Sequence, residues 1–263
     1  MRRQSGGGGD SSLSDHSIQP SGAETRERIL DVAARLFHEQ GFAATGVATI
    51  LRGAGVHSGS LYHFFPGKDA LLVGVMERHL ERLRPTILDP AERATDHPLG
   101  RVFALLGVYR RDLVVSHCTR GCPVGNLALE VGDRKPEVRA LIEEYFSRWV
   151  RRVRIWLDAV SSQLPADLDR LALAGLVLTV MEGAVMQARA TGRLAPFDAS
   201  VGQLRSYFED LTEQARRGPG ETVGPAAAVR DMPSVESIEV PQLEPFAPEG
   251  DESGADRSAW RSW

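Results

Sequence analysis

Three residues near the middle of the chain carry side chains suited to thiol or metal chemistry: His117, Cys118 and Cys122. If the stretch is helical, the i, i+4 spacing of the cysteines puts both sulfurs on one face, where the neighbouring Arg120 favours the thiolate. Such a pair could sense oxidants or electrophiles. Two Cys and one His lack a fourth ligand, so we expect no metal site. Free, buried structural cysteine is the simpler interpretation.

A second polar group has residue types suited to hydrogen bonding with a ligand rather than to catalysis. Its members are Ser58, Gly59, Ser60, Tyr62 and His63. Leu61, together with Phe64 or Phe65, has the spacing that buries one side of a short helix, which leaves the polar group facing outward. A helix with an exposed face of small and polar residues can enter the major groove of duplex DNA.

A preceding helix and a tight turn must position this group. The apolar residues of that helix recur at i, i+3, i+4 and i+7, and they are Val47, Ile50, Leu51 and Ala54. Gly55 can take the positive φ that the turn requires, and Ser58 is placed to cap the second helix. The sequence therefore predicts a helix-turn-helix over residues 46–65.

Flanking segments add support to this motif. Residues 25–40 carry an apolar stripe that predicts a supporting helix ending at Gly41. Thr45 is predicted to cap the helix that follows it. Lys68 opens a fourth helix, which Pro85 is expected to end. A lysine at a helix N-terminus is unfavourable unless an anion lies nearby. We expect a DNA phosphate beside Lys68, and a solvated lysine is the alternative.

Residues 23–83 resemble the N-terminal DNA-binding domain of the TetR family of bacterial transcriptional regulators. The residues that carry the resemblance are AARLFHEQGF at 33–42, Thr45, Ile50, Ala54, Gly55, Val56, Gly59, Ser60, Leu61, Tyr62, His63, Phe65 and Lys68. Gly53 stands where the family usually has Ala, at a cost of about 1 kcal/mol inside a helix. Thr45 and Lys68 match family residues that contact phosphate. The expected DNA contacts are Thr45, Ser58, Gly59, Ser60, Tyr62, His63 and Lys68.

Residues 84–216 are expected to form a second helical domain. Helices are predicted over about 99–117, 126–131, 136–163, 168–191 and 201–216. The segment RGCPVGNLALEVGD resembles the effector-binding region of one branch of the same family through Gly121, Cys122, Gly125, Asn126, Leu127 and Glu130. The resemblance implies a small-molecule effector, and the wide apolar faces favour a hydrophobic one. The candidate lining residues are Tyr109, His117, Cys122 and Trp149, with ordinary core residues as the alternative.

The last two predicted helices are more apolar than one subunit can cover, which indicates a partner surface. In the TetR family these two helices pair with those of a second copy, so we expect a homodimer. The expected interface residues are Leu178, Glu182, Val185, Leu204, Phe208 and Leu211. Two-fold symmetry would set the recognition helices about 34 Å apart and require a palindromic operator.

The two ends of the chain have compositions typical of disorder. Residues 1–22 are rich in Gly and Ser, and residues 217–263 are rich in Pro, Gly and acidic residues. We expect a disordered arm and a disordered acidic tail. The tail has nine acidic residues against four basic ones, a net charge of −5, so the rest of the chain carries +1 of the total −4. The acidity therefore does not argue against DNA binding.

Other functional classes find little support in the sequence. It has no run of 18 apolar residues and no apolar stretch behind Arg2 and Arg3, so we expect a cytoplasmic protein without a membrane span. It also lacks a Gly-rich phosphate loop after a strand, HExxH and a nucleophile elbow, so we expect neither an enzyme nor a cofactor. A helical dimer that does not bind DNA is the alternative of another class, but it would not need an outward polar helix.

The sequence thus predicts an all-α protein of about nine helices. Its expected domains are a disordered arm over 1–22, a DNA-binding domain over 23–83, an effector-binding and dimerisation domain over 84–216, and a tail over 217–263. The expected function is repression by a homodimer that a small molecule releases from its operator. A ligand can drive that release only through its different affinities for the two states. A thiol-sensing regulator acting through Cys118 and Cys122 is the alternative.

Overall fold

The computed structural model describes residues 21–131 and 135–217, and within these ranges every regular element is helical. This confirms the all-α prediction. The predictions for residues 1–20 and 218–263 lie outside the described residues.

Ten α-helices make up the described chain. They are α1 Gly22–Gln40, α2 Val47–Ala54, α3 Ser58–Phe64, α4 Lys68–Arg82, α5 Asp89–Ala94, α6 Pro98–Val115, α7 Pro123–Val131, α8 Pro136–Asp158, α9 Arg170–Thr191 and α10 Ala195–Arg217. A π-helical turn at Leu83–Leu88 joins α4 to α5, and a 3₁₀ turn at Ser161–Gln163 follows α8. Because α4 and α5 form one continuous rod, the described chain has nine rods, close to the number predicted.

Helix α1 begins at Gly22, three residues before the predicted start, because Ser21 and Glu24 form a capping box. The Ser21 hydroxyl accepts from the Glu24 N–H over 3.2 Å, and the Glu24 carboxylate accepts from the Ser21 N–H over 2.8 Å. This box fixes the first turn of the helix that supports the helix-turn-helix.

Helices α1, α2 and α3 pack into the predicted three-helix unit, which we call the head. Gly55 takes a left-handed conformation (φ 63°) and ends α2, as the turn requires. Gly53 has a packing reason: a Cβ there would lie 2.8 Å from a methyl carbon of Val32 on α1. The departure from Ala at this position therefore permits a close approach of α2 to α1.

Buried Arg78 fastens α4 to α1. Its guanidinium forms ion pairs with Glu27 and Asp31, and it donates to the Glu27 carbonyl over 3.1 Å. Both carboxylates are half-exposed, so the clamp lies at the surface end of the helix pair. It sets the direction in which α4 leaves the head.

The prediction that Pro85 ends the fourth helix is wrong. Pro85 lies inside the π-helical turn, and the rod continues through α5 to Ala94. A π turn is wider than an α turn, and proline disrupts a helix by removing one N–H and crowding the preceding turn. The wider turn accommodates both effects, so the chain passes Pro85 without a break.

The remaining helices form the larger body of the protein. Helix α8 packs against α4 and α9, and α10 lies along α9. The Asp169 carboxylate caps α9 by accepting from the N–H groups of Leu171 and Ala172. Helix α10 starts at Ala195, six residues before the predicted start, and the Arg110–Asp198 ion pair ties its first turn to α6.

Helix α9 is long and apolar enough to cross a membrane by length and composition alone, which the sequence reading did not anticipate. Only 39% of its most apolar window is buried inside the chain. The buried side packs against α8 and α10, which is the arrangement of a core helix, and the other side remains open.

Candidate nucleic-acid interface and buried polar cluster

The exposed side of α3 is polar, as predicted. Ser58, Gly59, Tyr62 and His63 are exposed and Ser60 is half-buried, whereas Leu61 is fully buried and holds the helix on the core. Tyr62 keeps 53% of its surface, which is high for so large a side chain. An open depression beside this face is lined by Gly22, Thr25, Gly59, Ser60, His63 and Phe64. Together these features give a polar surface beside a shallow recess at the tip of the head.

The start of α3 corrects one detail of the prediction. Its N-cap is His57, which makes no side-chain capping bond, and Ser58 is the first helical residue. The predicted capping role of Ser58 is therefore wrong. The first N–H groups of a helix without a side-chain cap are available to an anion such as a phosphate.

Thr45 has a structural role instead of the predicted ones. The N-cap of α2 is Gly46, so the predicted capping role is wrong. Thr45 is fully buried, and its hydroxyl donates to the Gly41 carbonyl over 2.6 Å and lies 3.3 Å from the Leu36 carbonyl. A hydroxyl so placed has no path to a phosphate in this conformation. Its bond to Gly41 closes the turn between α1 and α2.

Lys68 lies at the first position of α4, but it already has partners. Its ammonium is 4.3 Å from the centroid of the Phe42 ring and 3.4 Å from the Ala43 carbonyl oxygen. Partial burial lowers the pKa of Lys68, and the neighbouring Glu130 and Asp69 oppose that shift. The Phe42 ring and the carboxylates of Glu130 and Asp69 therefore supply part of the stabilisation of the Lys68 charge that we expected from a DNA phosphate.

The end of α7 binds the head directly. The Glu130 carboxylate accepts from the backbone N–H of Phe42 over 2.8 Å and from that of Ala43 over 2.5 Å. His38 Nε2 lies 2.6 Å from the Gly121 carbonyl oxygen, a contact that requires the proton on Nε2. Burial lowers the pKa of His38, which keeps the ring neutral. Two contacts thus join the segment around α7 to the head.

Three helices and the segment before α7 bring polar side chains together in the core of the body. Tyr109 comes from α6, Cys122 precedes α7, Tyr145 comes from α8 and Glu182 from α9. We call these four residues the polar cluster. A Cβ on Gly125 of α7 would collide with a carboxylate oxygen of Glu182 on α9, so the lack of a side chain at Gly125 lets the two groups approach. The Cys122 sulfur accepts from the Gly125 N–H over 3.3 Å.

Two atoms of the polar cluster, the Tyr109 hydroxyl and Glu182 Oε1, lack a hydrogen-bond partner of good geometry among the described residues. Asn126 Nδ2 on α7 and Trp149 Nε1 on α8 share that condition. The Tyr145 hydroxyl and the Cys122 thiol nevertheless lie near enough to shift the pKa values of Tyr109 and Glu182 through hydrogen bonding. An unpaired buried polar atom costs about 1–3 kcal/mol. Burial raises the pKa of Glu182 and raises that of Tyr109 well above its usual value. The core at this point is therefore polar and incompletely satisfied.

The structure brings together part of the predicted effector set. Tyr109 and Cys122 belong to the polar cluster, and Trp149 lies fully buried one turn after Tyr145 on α8. His117 is exposed in a left-handed conformation (φ 51°) after α6, so it lies outside this group. The sequence did not single out Tyr145, and Glu182 was assigned to the dimer interface. Neither carries a local signal of binding, because their proximity depends on how α8 and α9 pack.

The two cysteines do not share a helical face, because residues 116–122 form turns between α6 and α7. Both thiols are free and buried. Burial raises the pKa of the Cys122 thiol, and the adjacent Glu182 raises it further. This environment favours the thiol over the reactive thiolate. No three His, Cys, Asp or Glu side chains gather as a metal site among residues 21–131 and 135–217.

Most of the predicted dimer residues lie inside the subunit. Val185, Leu204, Phe208 and Leu211 are buried in the chain's own core, and Phe208 packs edge-on against Phe103. Their own subunit covers these four side chains, and Glu182 is half-buried, so a role of these residues in a dimer interface stays a prediction. Leu178 is half-buried. The apolar stripes that indicated a partner are mainly the faces by which α9 and α10 hold each other and the body.

A different side of α9 faces outward and carries no charge. Its residues are Ala172, Gly175, Leu176, Thr179, Gly183, Met186 and Ala190. Leu176 and Met186 are 41% and 58% exposed, and on α10 Tyr207 is 41% exposed. Nothing lies within 4 Å of a Cβ placed on Gly175, Gly183 or the α10 residue Gly202. We call this surface the α9–α10 face.

Comparison with known proteins gives the same fold and family. A family model described as "Bacterial regulatory proteins, tetR family" matches residues 29–75, and one described as "Tetracyclin repressor-like, C-terminal domain" matches residues 98–204. A crystal structure of a TetR transcriptional regulator from Chloroflexus aurantiacus is similar, with TM-score 0.64 and 28% identity. The match covers 72% of this chain and 96% of that one.

Two relatives are similar over most of their length. An uncharacterized HTH-type transcriptional regulator of Mycobacterium tuberculosis is 31% identical over 197 residues, which is 73% of this chain and 98% of that protein. The HTH-type transcriptional repressor DhaR of a Mycobacterium species is 25% identical over 175 residues, covering 66% of this chain and 86% of that one. Together with the exposed polar helix of the head, these matches identify the chain as a DNA-binding transcriptional regulator that belongs to the TetR family.

Proposed function

We propose that the protein is a homodimeric repressor that leaves a palindromic operator when a small molecule binds its body. The observation that carries this proposal is the position of α7. The first turn of α7 contacts the polar cluster through Gly125, and its last turn holds the head through Glu130. A change at the polar cluster can therefore be transmitted through the short helix α7 to the segment that sets the angle of the head.

DNA binding rests on residues 23–83, which contain the head and α4. Ser58, Gly59 and Ser60 present small polar groups that can approach base edges, and Tyr62 and His63 reach the flanking backbone. Lys68 turns from Phe42 toward a phosphate when DNA is present. Thr45 contributes by holding the turn before α2, without touching DNA. These assignments give most of the affinity to backbone contacts and the sequence preference to α3.

Dimerisation uses the α9–α10 face. An uncharged helix side with small residues and two exposed large apolar ones is unusual on a monomer surface and allows close packing with a second copy. A two-fold axis through this face repeats the head on both sides. The open side of α9 is then covered by protein, which explains its apolar character in a cytoplasmic regulator.

The repressor role is inferred from the similarity to DhaR, an HTH-type transcriptional repressor. The division between head and effector-binding body falls near residue 84, within the rod formed by α4 and α5. The family and the relatives are transcriptional regulators, so we assign this protein regulation without catalysis. Thiol sensing is disfavoured, because Cys122 is buried beside Glu182 and held as the thiol.

A binding experiment with the full chain tests this function. The palindrome from the protein's own promoter region is labelled, and fluorescence anisotropy is measured against a duplex with scrambled half-sites. Two subunits should bind per duplex, with at least a hundredfold preference for the palindrome at moderate salt. Light scattering should give a dimer. A monomer in solution, or equal affinity for both duplexes at low salt, would contradict the proposal.

A further inference from the structure

The polar cluster contains two of the five buried side-chain atoms that lack a hydrogen-bond partner among the described residues: the Tyr109 hydroxyl and Glu182 Oε1. Two of the other three belong to Asn126 on α7 and Trp149 on α8. Folded proteins satisfy nearly all such atoms, so a concentration of exceptions calls for an occupant. Tyr109 is 93% buried and Trp149 is fully buried, so bulk solvent does not supply their partners.

Glu182 gives this site its charge. It is the one carboxyl group of the polar cluster, and no described Lys, Arg or His forms an ion pair with it. Its neighbours are uncharged in their ordinary states: the thiol of Cys122 and the phenols of Tyr109 and Tyr145. A largely buried carboxyl group without a cation is unfavourable in its ionised form, and a ligand cation would remove that penalty.

Aromatic side chains complete the complementarity. Tyr109, Tyr145 and Trp149 are buried on the two helices α6 and α8 that flank the carboxyl group. Aromatic rings attract cations to their faces, and this attraction strengthens where water is excluded. A carboxyl group beside the two phenol rings of Tyr109 and Tyr145 is chemically complementary to an organic cation. The same carboxylate would repel an anionic ligand of equal shape.

Given the effector-released repressor proposed above, on which this step rests, we propose that the polar cluster is the effector site and takes a small organic cation. The ligand carries an ammonium or amidinium group on an apolar body. Its N–H groups satisfy Glu182 Oε1 and the Tyr109 hydroxyl, and its apolar part packs among the aromatic side chains. This class differs from the uncharged hydrophobic effector that the apolar faces suggested.

A ligand bound at the polar cluster also affects the head directly, through α7. A Glu182 oxygen lies close enough to Gly125 to fill the space of a side chain there. A cation that draws the carboxylate toward itself changes the packing of α9 on the first turn of α7. Because Glu130 at the other end of α7 holds Phe42 and Ala43, that shift changes the position of the turn before α2.

Matched probes test the charge preference. Benzylamine, benzyl alcohol and benzoate share a ring and differ in charge, and 1-naphthylmethylamine with its alcohol and carboxylate repeats the comparison with a larger body. Thermal shift and calorimetry on the full-length protein should show binding of the amines at least tenfold tighter than of the alcohols, with no binding of the carboxylates. Glu182→Gln should abolish the amine preference while leaving the alcohol affinity unchanged. The exposed Glu143→Gln is the matched control and should behave as wild type.

Equal binding of amines and alcohols, retention of the amine preference in Glu182→Gln, or no stabilisation by any amine at millimolar concentration would each overturn the cation assignment. The cluster would then be a hydrated structural network. Operator binding is measured on the same preparations. If the protein binds its palindrome and a non-cationic compound releases it, the cation inference fails and the repressor stands. If amines bind through Glu182 but the protein binds no duplex, the cation site is supported and the proposed repressor function is rejected.

Discussion

The Glu130 carboxylate accepts a hydrogen bond from the backbone N–H of Phe42 over 2.8 Å, although the two residues are 88 positions apart in the chain. The adjacent Ala43 N–H binds the other carboxylate oxygen. Backbone donors in a turn have few alternative partners besides water, so a charged acceptor there fixes the turn. The head is therefore held to the body by a side chain as well as by the continuous rod of α4 and α5.

Replacing Glu130 with Ala should loosen this turn. The Phe42 and Ala43 amides lose their acceptor, so their hydrogen exchange should accelerate at least tenfold, and the free energy of unfolding should fall by about 1–3 kcal/mol. Exchange measured by NMR or mass spectrometry reads the first effect and urea unfolding the second. Glu143→Ala is the control on an exposed site. Unchanged protection at residues 42 and 43 would show that the carboxylate contributes nothing to the junction.

Tyr62→Ala and Lys68→Ala should each weaken binding to all duplexes by similar factors, because both residues are assigned to the DNA backbone. For Lys68 the dependence of log K on log salt should become shallower by about 0.9, the loss of one phosphate contact. Anisotropy titrations at several salt concentrations measure both quantities. A changed sequence preference with an unchanged slope would instead assign Lys68 to base reading.

The head was predictable because its determinants are local. Gly55 at a positive-φ turn, Leu61 facing the core and the polar residues between 58 and 63 are all specified within one short stretch, and the structure has each of them as expected. Local predictions failed where tertiary packing determines the role of a residue. Thr45 looks like a cap in sequence, but the path of the turn buries its hydroxyl against the Gly41 carbonyl.

The body was less predictable because its site is assembled from distant segments. From the sequence, Glu182 in an apolar run was assigned to an interface, and only the folded arrangement of α9 and the start of α7 brings it to Gly125 and Cys122. An apolar stripe also cannot say whether its own subunit or a second copy will cover it. For Phe208 the answer is its own subunit, since Phe103 already packs against it.

Thr45→Val tests the structural role of the hydroxyl. Valine keeps the shape but leaves the Gly41 carbonyl without its donor, so unfolding free energy should fall by about 1–2 kcal/mol. Urea unfolding measures the loss. The affinity for the operator, measured well below the unfolding temperature, should change less than threefold. A much larger loss of affinity at normal stability would return Thr45 to the set of DNA contacts.

Met186→Glu should weaken the dimer. A two-fold interface contains the substitution twice. If each copy weakens the free energy of association by about 1.4 kcal/mol, the dissociation constant rises about a hundredfold. Sedimentation at micromolar concentration measures the shift. Val115→Glu adds the same charge at a more exposed apolar residue on α6, outside the α9–α10 face, and should leave the dimer intact. If both variants remain dimeric, the interface lies elsewhere.

His79 on α4 makes stability depend on pH below neutrality. Burial lowers its pKa to about 4, and the charges of His38, Arg82 and Arg78 contribute to the shift. In the unfolded chain the pKa is about 6.5. The unfolded state therefore binds more protons between these two values, so stability is complete above about pH 6.5 and falls as the pH drops toward 4.

Between pH 7 and pH 5 this difference amounts to about 2 kcal/mol for His79 alone. Urea unfolding at several pH values should show that loss in the wild-type protein, and His79→Gln should flatten most of it. A smaller slope will remain because burial also lowers the pKa of His38. The exposed His97→Gln should keep the wild-type slope.

The ion-paired carboxylates Glu144 and Asp198, whose pKa values are lowered, act only at more acidic pH, so they do not imitate the histidine effect. If His79→Gln kept the full pH dependence, neutral burial of His79 between α4 and α1 would be rejected.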